Sequence, residues 1–129
     1  MNKTENKLYD ALLNGHEGKD LVIKGQNMET GERGERYRVA EDENSISLLY
    51  WGNCVATIWR YDDFVTVDTC GYDTRNTCRL INLALRVMEE LYGVPYPRAS
   101  LRIPRNGDLP TWNLDGEWDG CKVDVYPSK

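Results

Sequence analysis

Between Arg75 and Tyr92, apolar residues recur at Leu80, Ala84, Val87, Met88 and Leu91, the steps of one face of a 3.6-residue period. Ile81 and Leu85 widen the stripe. A helix with so broad an apolar face draws its stability from whatever covers that face. The preceding segment supplies a cover. Residues 46–51, 54–60 and 64–69 have strand composition, and Gly52-Asn53 and Tyr61-Asp62-Asp63 separate them as turns. Alternation along such strands points Ala56, Ile58, Val65 and Val67 inward, and Val55, Thr57, Trp59, Phe64, Thr66 and Asp68 outward. The expected architecture is α+β: an antiparallel β-sheet, a meander of sequential neighbours, packed against one long amphipathic helix.

Asp73 or Thr74 starts that helix, Gly93 ends it, and Pro95 and Pro97 prevent its resumption. A short N-terminal helix is expected over residues 4–14, capped by Thr4, with Leu8, Tyr9 and Leu12 on its apolar side. Residues 21–23 and 37–40 read as short strands flanking a glycine-bearing loop at 27–35, and residues 41–44 as an acidic turn. After the long helix, residues 99–103, 111–114 and 121–126 read as strands, with turns at Asn106-Gly107, Asp115-Gly116 and Asp119-Gly120. A chain of 129 residues, 40% hydrophobic and 29% charged, fits a single domain over 1–129 with its own core.

Composition narrows the function classes. No apolar run approaches the ~18 residues of a membrane span. The first seven residues are polar and lack the apolar centre of a signal peptide, so a cytoplasmic location is expected. The net charge of −5 is unevenly spread. Residues 1–53 hold ten acids and seven bases, residues 54–105 six acids and seven arginines, and residues 106–129 five acids and two bases. A basic footprint over the whole surface is absent, whereas a local one on the arginine-bearing middle is possible.

Few residues suggest chemistry. Cys54, Cys70, Cys78 and Cys121 have no C-x-x-C spacing and are expected to be reduced and buried rather than zinc ligands. His16, the only histidine, follows Gly15 in a charged segment with no nucleophile beside it. Residues 115–120 begin like a calcium loop, but the twelfth position is Tyr126 where a bidentate Glu is required. Gly31-Glu32-Arg33-Gly34 lacks the phosphate-loop pattern. Asp62, Asp63 and Asp68 are the one set from which a metal-dependent hydrolase could be built, and adjacent acids at a hairpin tip are more simply turn formers. No catalytic residue, metal or cofactor is therefore assigned.

Aromatics and arginines stand out instead. Tyr50, Trp51, Trp59, Arg60 and Tyr61 lie near the ends of paired strands. A Gly52-Asn53 turn would put Tyr50 and Trp59 on one sheet face and Trp51 opposite Cys54 on the other. Arg98, Arg102 and Arg105 follow the helix, with Arg98 and Arg102 on one strand face. Together these eight residues are the candidate partner-binding set, able to stack on bases or to dock an acidic or protein surface. Their alternative role is packing and solvation of the sheet.

Gly71, Tyr72, Thr74, Thr77, Ile81 and Asn82 carry a resemblance. Residues 55–82 resemble small proteins of tailed bacteriophages, in which a strand pair is followed by Gly with Trp or Tyr and then by a Thr-containing helix start ending in Ile-Asn or Leu-Asn. Those proteins place a basic residue where Cys78 stands and an Arg where Leu80 stands; here Arg75 and Arg79 bracket the positions. The resemblance implies a non-enzymatic accessory protein that antagonises host defence, in the manner of an anti-CRISPR, by binding a nuclease complex or a signalling molecule. A protein partner is thus expected first and a nucleic acid second, with no membrane; the sequence leaves the oligomeric state open. The residues themselves predict a turn at Gly71, a hydrophobic staple at Tyr72, caps at Thr74 or Thr77, and a hydrogen bond from Asn82 to a neighbouring strand.

Overall fold

A computed structural model describes residues 1–128. The elements are α1 (Lys3–Asn14), β1 (Leu21–Gln26), β2 (Arg33–Glu41), β3 (Ser45–Tyr50), β4 (Asn53–Trp59), β5 (Val65–Val67), α2 (Arg75–Tyr92), β6 (Ala99–Arg102), β7 (Thr111–Leu114), β8 (Glu117–Trp118) and β9 (Val123–Val125). β1 to β5 form the expected antiparallel meander, and β9 returns from the C-terminal part to pair with β5, giving the order β1-β2-β3-β4-β5-β9. β6, β7 and β8 make a second antiparallel sheet. The class is α+β.

α2 sits between the sheets, against β3, β4 and β5 on one side and β6 on the other, with α1 beside it. Its stripe buries Leu80, Ile81, Ala84, Leu85, Val87 and Met88 against Val39, Leu48, Ile58, Val65 and Val67. Thr74 caps it by accepting the Thr77 N–H at 3.2 Å, and Gly93 ends it in the left-handed region at φ 68°. Asn82 binds both main-chain groups of Ala99, accepting at 2.7 Å and donating at 2.9 Å, so it stands in for a strand neighbour and ties β6 to the helix.

Several local expectations change. Asn2, not Thr4, caps α1, because its Oδ1 reaches the Glu5 N–H at 2.8 Å. Both strands of the first hairpin run longer than expected, so the loop at 27–35 shrinks to residues 27–32. β5 is trimmed to three residues, and Thr66 is buried despite facing outward because Trp59 and Asp124 close over it. Val55 is wholly buried although alternation put it outside. Leu48 pairs with Ala56 and Leu49 with Cys54, so Val55 is the extra residue of a β-bulge, which turns both Val55 and Ala56 inward. None of the four cysteines is buried: Cys54 and Cys121 are exposed, and Cys70 and Cys78 half-buried, because they fall at strand ends and on the helix flank; all are free thiols. Trp118 is half-buried. It packs edge-on against Trp112 and donates to the Cys121 carbonyl at 2.9 Å.

Candidate functional site

The β3–β4 turn is shifted by one residue from its expected position. Tyr50 pairs with Asn53, so Trp51 and Gly52 form the turn, with φ values of 49° and 82°. Both central residues in the left-handed region make a type I′ hairpin turn, which matches strand twist and favours Asn or Gly. A tryptophan there is costly, because its Cβ crowds the following carbonyl by about 1–2 kcal/mol. The shift has a further consequence. Trp59 pairs with Ser45, so Tyr50 and Trp59 lie on opposite faces of the sheet, and Trp51 faces no strand partner.

What Trp51 gains is company. Its N–H donates to the Arg36 carbonyl at 2.9 Å. Its ring centroid lies 6.4 Å from that of Tyr50. Tyr50 stacks on Tyr37 at 5.5 Å and meets Tyr72 edge-on at 6.5 Å. Two amides fix the rings that flank Tyr50: Asn76 at the start of α2 donates to the Tyr37 hydroxyl at 3.1 Å, and Asn53 donates to the Tyr72 hydroxyl at 3.3 Å. Tyr37 is the buried floor, Tyr50 and Trp51 are half-buried, and Tyr72 is 41% exposed. Tyr72 therefore belongs to this cluster rather than stapling the helix.

One cation lies against the rings. The Arg36 guanidinium lies over Tyr37, 5.3 Å from the ring centre, a favourable cation–π placement. Its stem crosses Gly25, where any Cβ would come within 2.8 Å of the Arg36 Cδ. Ion pairs among the described residues involve Arg38, Arg60 and Arg98; exposed Arg33, Arg36, Arg75 and Arg79 take part in none of them. Nearby acids are occupied: Glu35 holds Arg38, Asp68 accepts the Cys70 N–H, and Asp73 accepts the Trp112 indole N–H. Bonding to Arg38 keeps the Glu35 carboxyl below its ordinary range.

Trp59, Arg60 and Tyr61 stand at the opposite end of the hairpin, roughly 20 Å away at about 3.3 Å per strand residue. Trp59 is structural in part: its indole N–H donates to the Thr66 hydroxyl at 3.0 Å, and that hydroxyl donates to Asp124 at 2.7 Å. Arg60 is tied to Glu41 and to the Asp42 carbonyl. Arg98 is paired with Glu89, whereas Arg102 and Arg105 are exposed in and beyond β6. The eight candidate residues thus divide among three places. Only Tyr50 and Trp51 share a cluster of rings, and sequence spacing missed its other members, Tyr37, Tyr72 and Arg36.

The groups suited to reaction chemistry are dispersed. Among the described residues no three of His, Cys, Asp and Glu are arranged to hold a metal, and Asp68 lies at the far end of β5 from Asp62 and Asp63. Burial, then Asp68 and Cys54, pushes the Cys70 thiol up; burial does the same to Cys78, and Asp119 to Cys121. Thiols so raised stay protonated at neutral pH and are weak nucleophiles. No helix among the described residues is long and apolar enough to cross a membrane. No protein-family model matches the sequence, and no curated protein and no solved structure is significantly similar to it.

Proposed function

We propose that this chain is a non-enzymatic binding protein that docks an acidic protein surface through the Tyr50–Trp51–Tyr72 end. In keeping with the resemblance of residues 55–82 to tailed-phage accessory proteins, the partner is a component of a bacterial host-defence complex, such as a CRISPR nuclease assembly. The observation that carries the reading is Trp51 itself. A large aromatic ring is held in a costly left-handed turn position, beside Tyr50 in a cluster of tyrosines and next to Arg36, which makes no ion pair among the described residues. Backbone strain of this kind is retained where surrounding structure and function require it. Half-buried aromatics flanked by arginine are the residues that dominate binding energy at interfaces.

Capture from a bacterial lysate tests it. Tagged wild-type protein retains a specific host protein, and Trp51→Ala, Tyr72→Ala and Arg36→Ala lose it, while Arg102→Ala keeps it. Equal retention by all four variants sinks the reading. The same rings and arginines also support single-stranded nucleic-acid binding, the second reading. It requires an oligonucleotide affinity that falls steeply with salt, and no binding at low salt removes it.

A further inference from the structure

The opposite end of the β3–β4 hairpin carries a feature the aromatic end does not. Between the C-terminal turns of α1 and α2, the start of β3 and the end of β4 lies a hollow of about 280 Å³, walled by Leu12, Leu13, Ile46, Ile58, Leu91 and Tyr92, with Trp59 and Arg60 completing its lining. Leu91 is 46% exposed, and Tyr61, which follows the lining residue Arg60, is 83% exposed. Large side chains left in water around an apolar recess mark an interaction site.

Acidic turns are tied to the wall of that recess: Arg60 donates to the Asp42 carbonyl and Tyr92 to the Asp62 carbonyl. The β2–β3 turn contributes Asp42 and Glu43, the β4–β5 turn Asp62 and Asp63, and the last turn of α2 Glu90, all exposed. α2 ends here with no basic residue in its last turn, so the negative end of its dipole is uncompensated. Arg60, the cation on the rim, is spent on Glu41. The rim is also stiff: the Tyr92 hydroxyl donates to the Asp62 carbonyl at 2.6 Å and the Tyr96 hydroxyl to the Asp63 carbonyl, which fixes the β4–β5 turn to α2.

From this juxtaposition we infer a second docking site: the acidic-rimmed hollow takes a bulky apolar side chain presented by a Lys/Arg-rich segment of a protein partner. Charge selects the occupant. The carboxylates repel nucleic acid and an anionic membrane and attract a cationic peptide, while the hollow accepts a Leu-, Met- or Phe-sized anchor. The site does not depend on the aromatic end, so the protein has two docking surfaces of opposite character.

The test uses the full chain labelled with ¹⁵N and three short peptides: amphipathic Lys/Leu, its Glu/Leu counterpart, and oligo-Lys. The Lys/Leu peptide shifts the amides of Leu12, Leu13, Ile58, Tyr61, Leu91 and Tyr92, and the other two peptides do not. Leu91→Glu and the charge-neutral set Asp62→Asn, Asp63→Asn and Glu90→Gln each weaken it by about tenfold or more, whereas Trp51→Ala leaves it unchanged. Any of three results overturns the inference: shifts centred elsewhere, equal binding of oligo-Lys or Glu/Leu, or self-association of the protein with no peptide-specific shifts.

Discussion

The two ends of the β3–β4 hairpin use the same residue types, aromatics, arginine and carboxylate, and differ in what those side chains are tied to. At the turn end, amides from Asn53 and Asn76 hold the tyrosine hydroxyls, and acids are occupied elsewhere, so rings and guanidinium groups are left to meet a partner. At the other end the arginine is paired and the hydroxyls of Tyr92 and Tyr96 clamp a turn, so carboxylates and an apolar recess are left. Composition is nearly shared; polarity of the surface is decided by which groups are already satisfied.

The strongest way to break the contrast is to loosen the core both ends stand on. Leu48, fully buried in the middle of β3, is expected on truncation to Ala to cost about 2–5 kcal/mol in urea unfolding and to weaken binding at both ends together. Next, the two hairpin tryptophans should separate. Trp59→Ala removes a half-buried ring and its bond to Thr66, so we expect a loss of about 1–3 kcal/mol. Trp51→Asn relieves a left-handed strain while giving up partial burial, so stability changes by less than about 1 kcal/mol. Equal destabilisation by both would erase the distinction.

A pH titration sharpens it further. Burial, reinforced by Asp63, pushes the Tyr96 phenol up to about 12. The fold therefore favours the neutral phenol: its contribution is complete below the ordinary value near 10 and is lost as pH rises through about 12. Circular dichroism of Tyr96→Phe should show a shallower alkaline loss than wild type across that window. The smallest effect is acidic. The Asn44 and Ser45 amides hold the Asp42 carboxyl below its usual range, so its contribution is present above the ordinary carboxylate value and lost as pH falls through the depressed one. Asp42→Asn should flatten the acid limb of the stability profile.

Much of the scaffold was legible because its signals are periodic and local. The α2 stripe and its Thr74 cap and Gly93 stop follow from side chains a few residues apart or from one apolar face. The site was not legible for a specific reason. A single-residue shift, from Gly52-Asn53 to Trp51-Gly52, moves Trp51 out of the ladder and separates Tyr50 from Trp59. Turn chemistry argued against Trp at φ 49°, so local preference pointed to the wrong pair. The bulge at Val55 likewise breaks an alternation that composition alone cannot interrupt. Tyr37, Tyr72 and Arg36 join the cluster only through the pairing of β2 with β3 and the docking of α2, contacts between distant parts of the chain.

The account stands on Trp51 being kept in its turn for a partner rather than for the fold. The direct measurement pairs urea unfolding with host-protein capture for Trp51→Asn. We predict an unfolding midpoint close to wild type and loss of the captured protein. A fall in stability of about 3 kcal/mol or more, with capture intact, would show that the ring serves packing and would contradict the account.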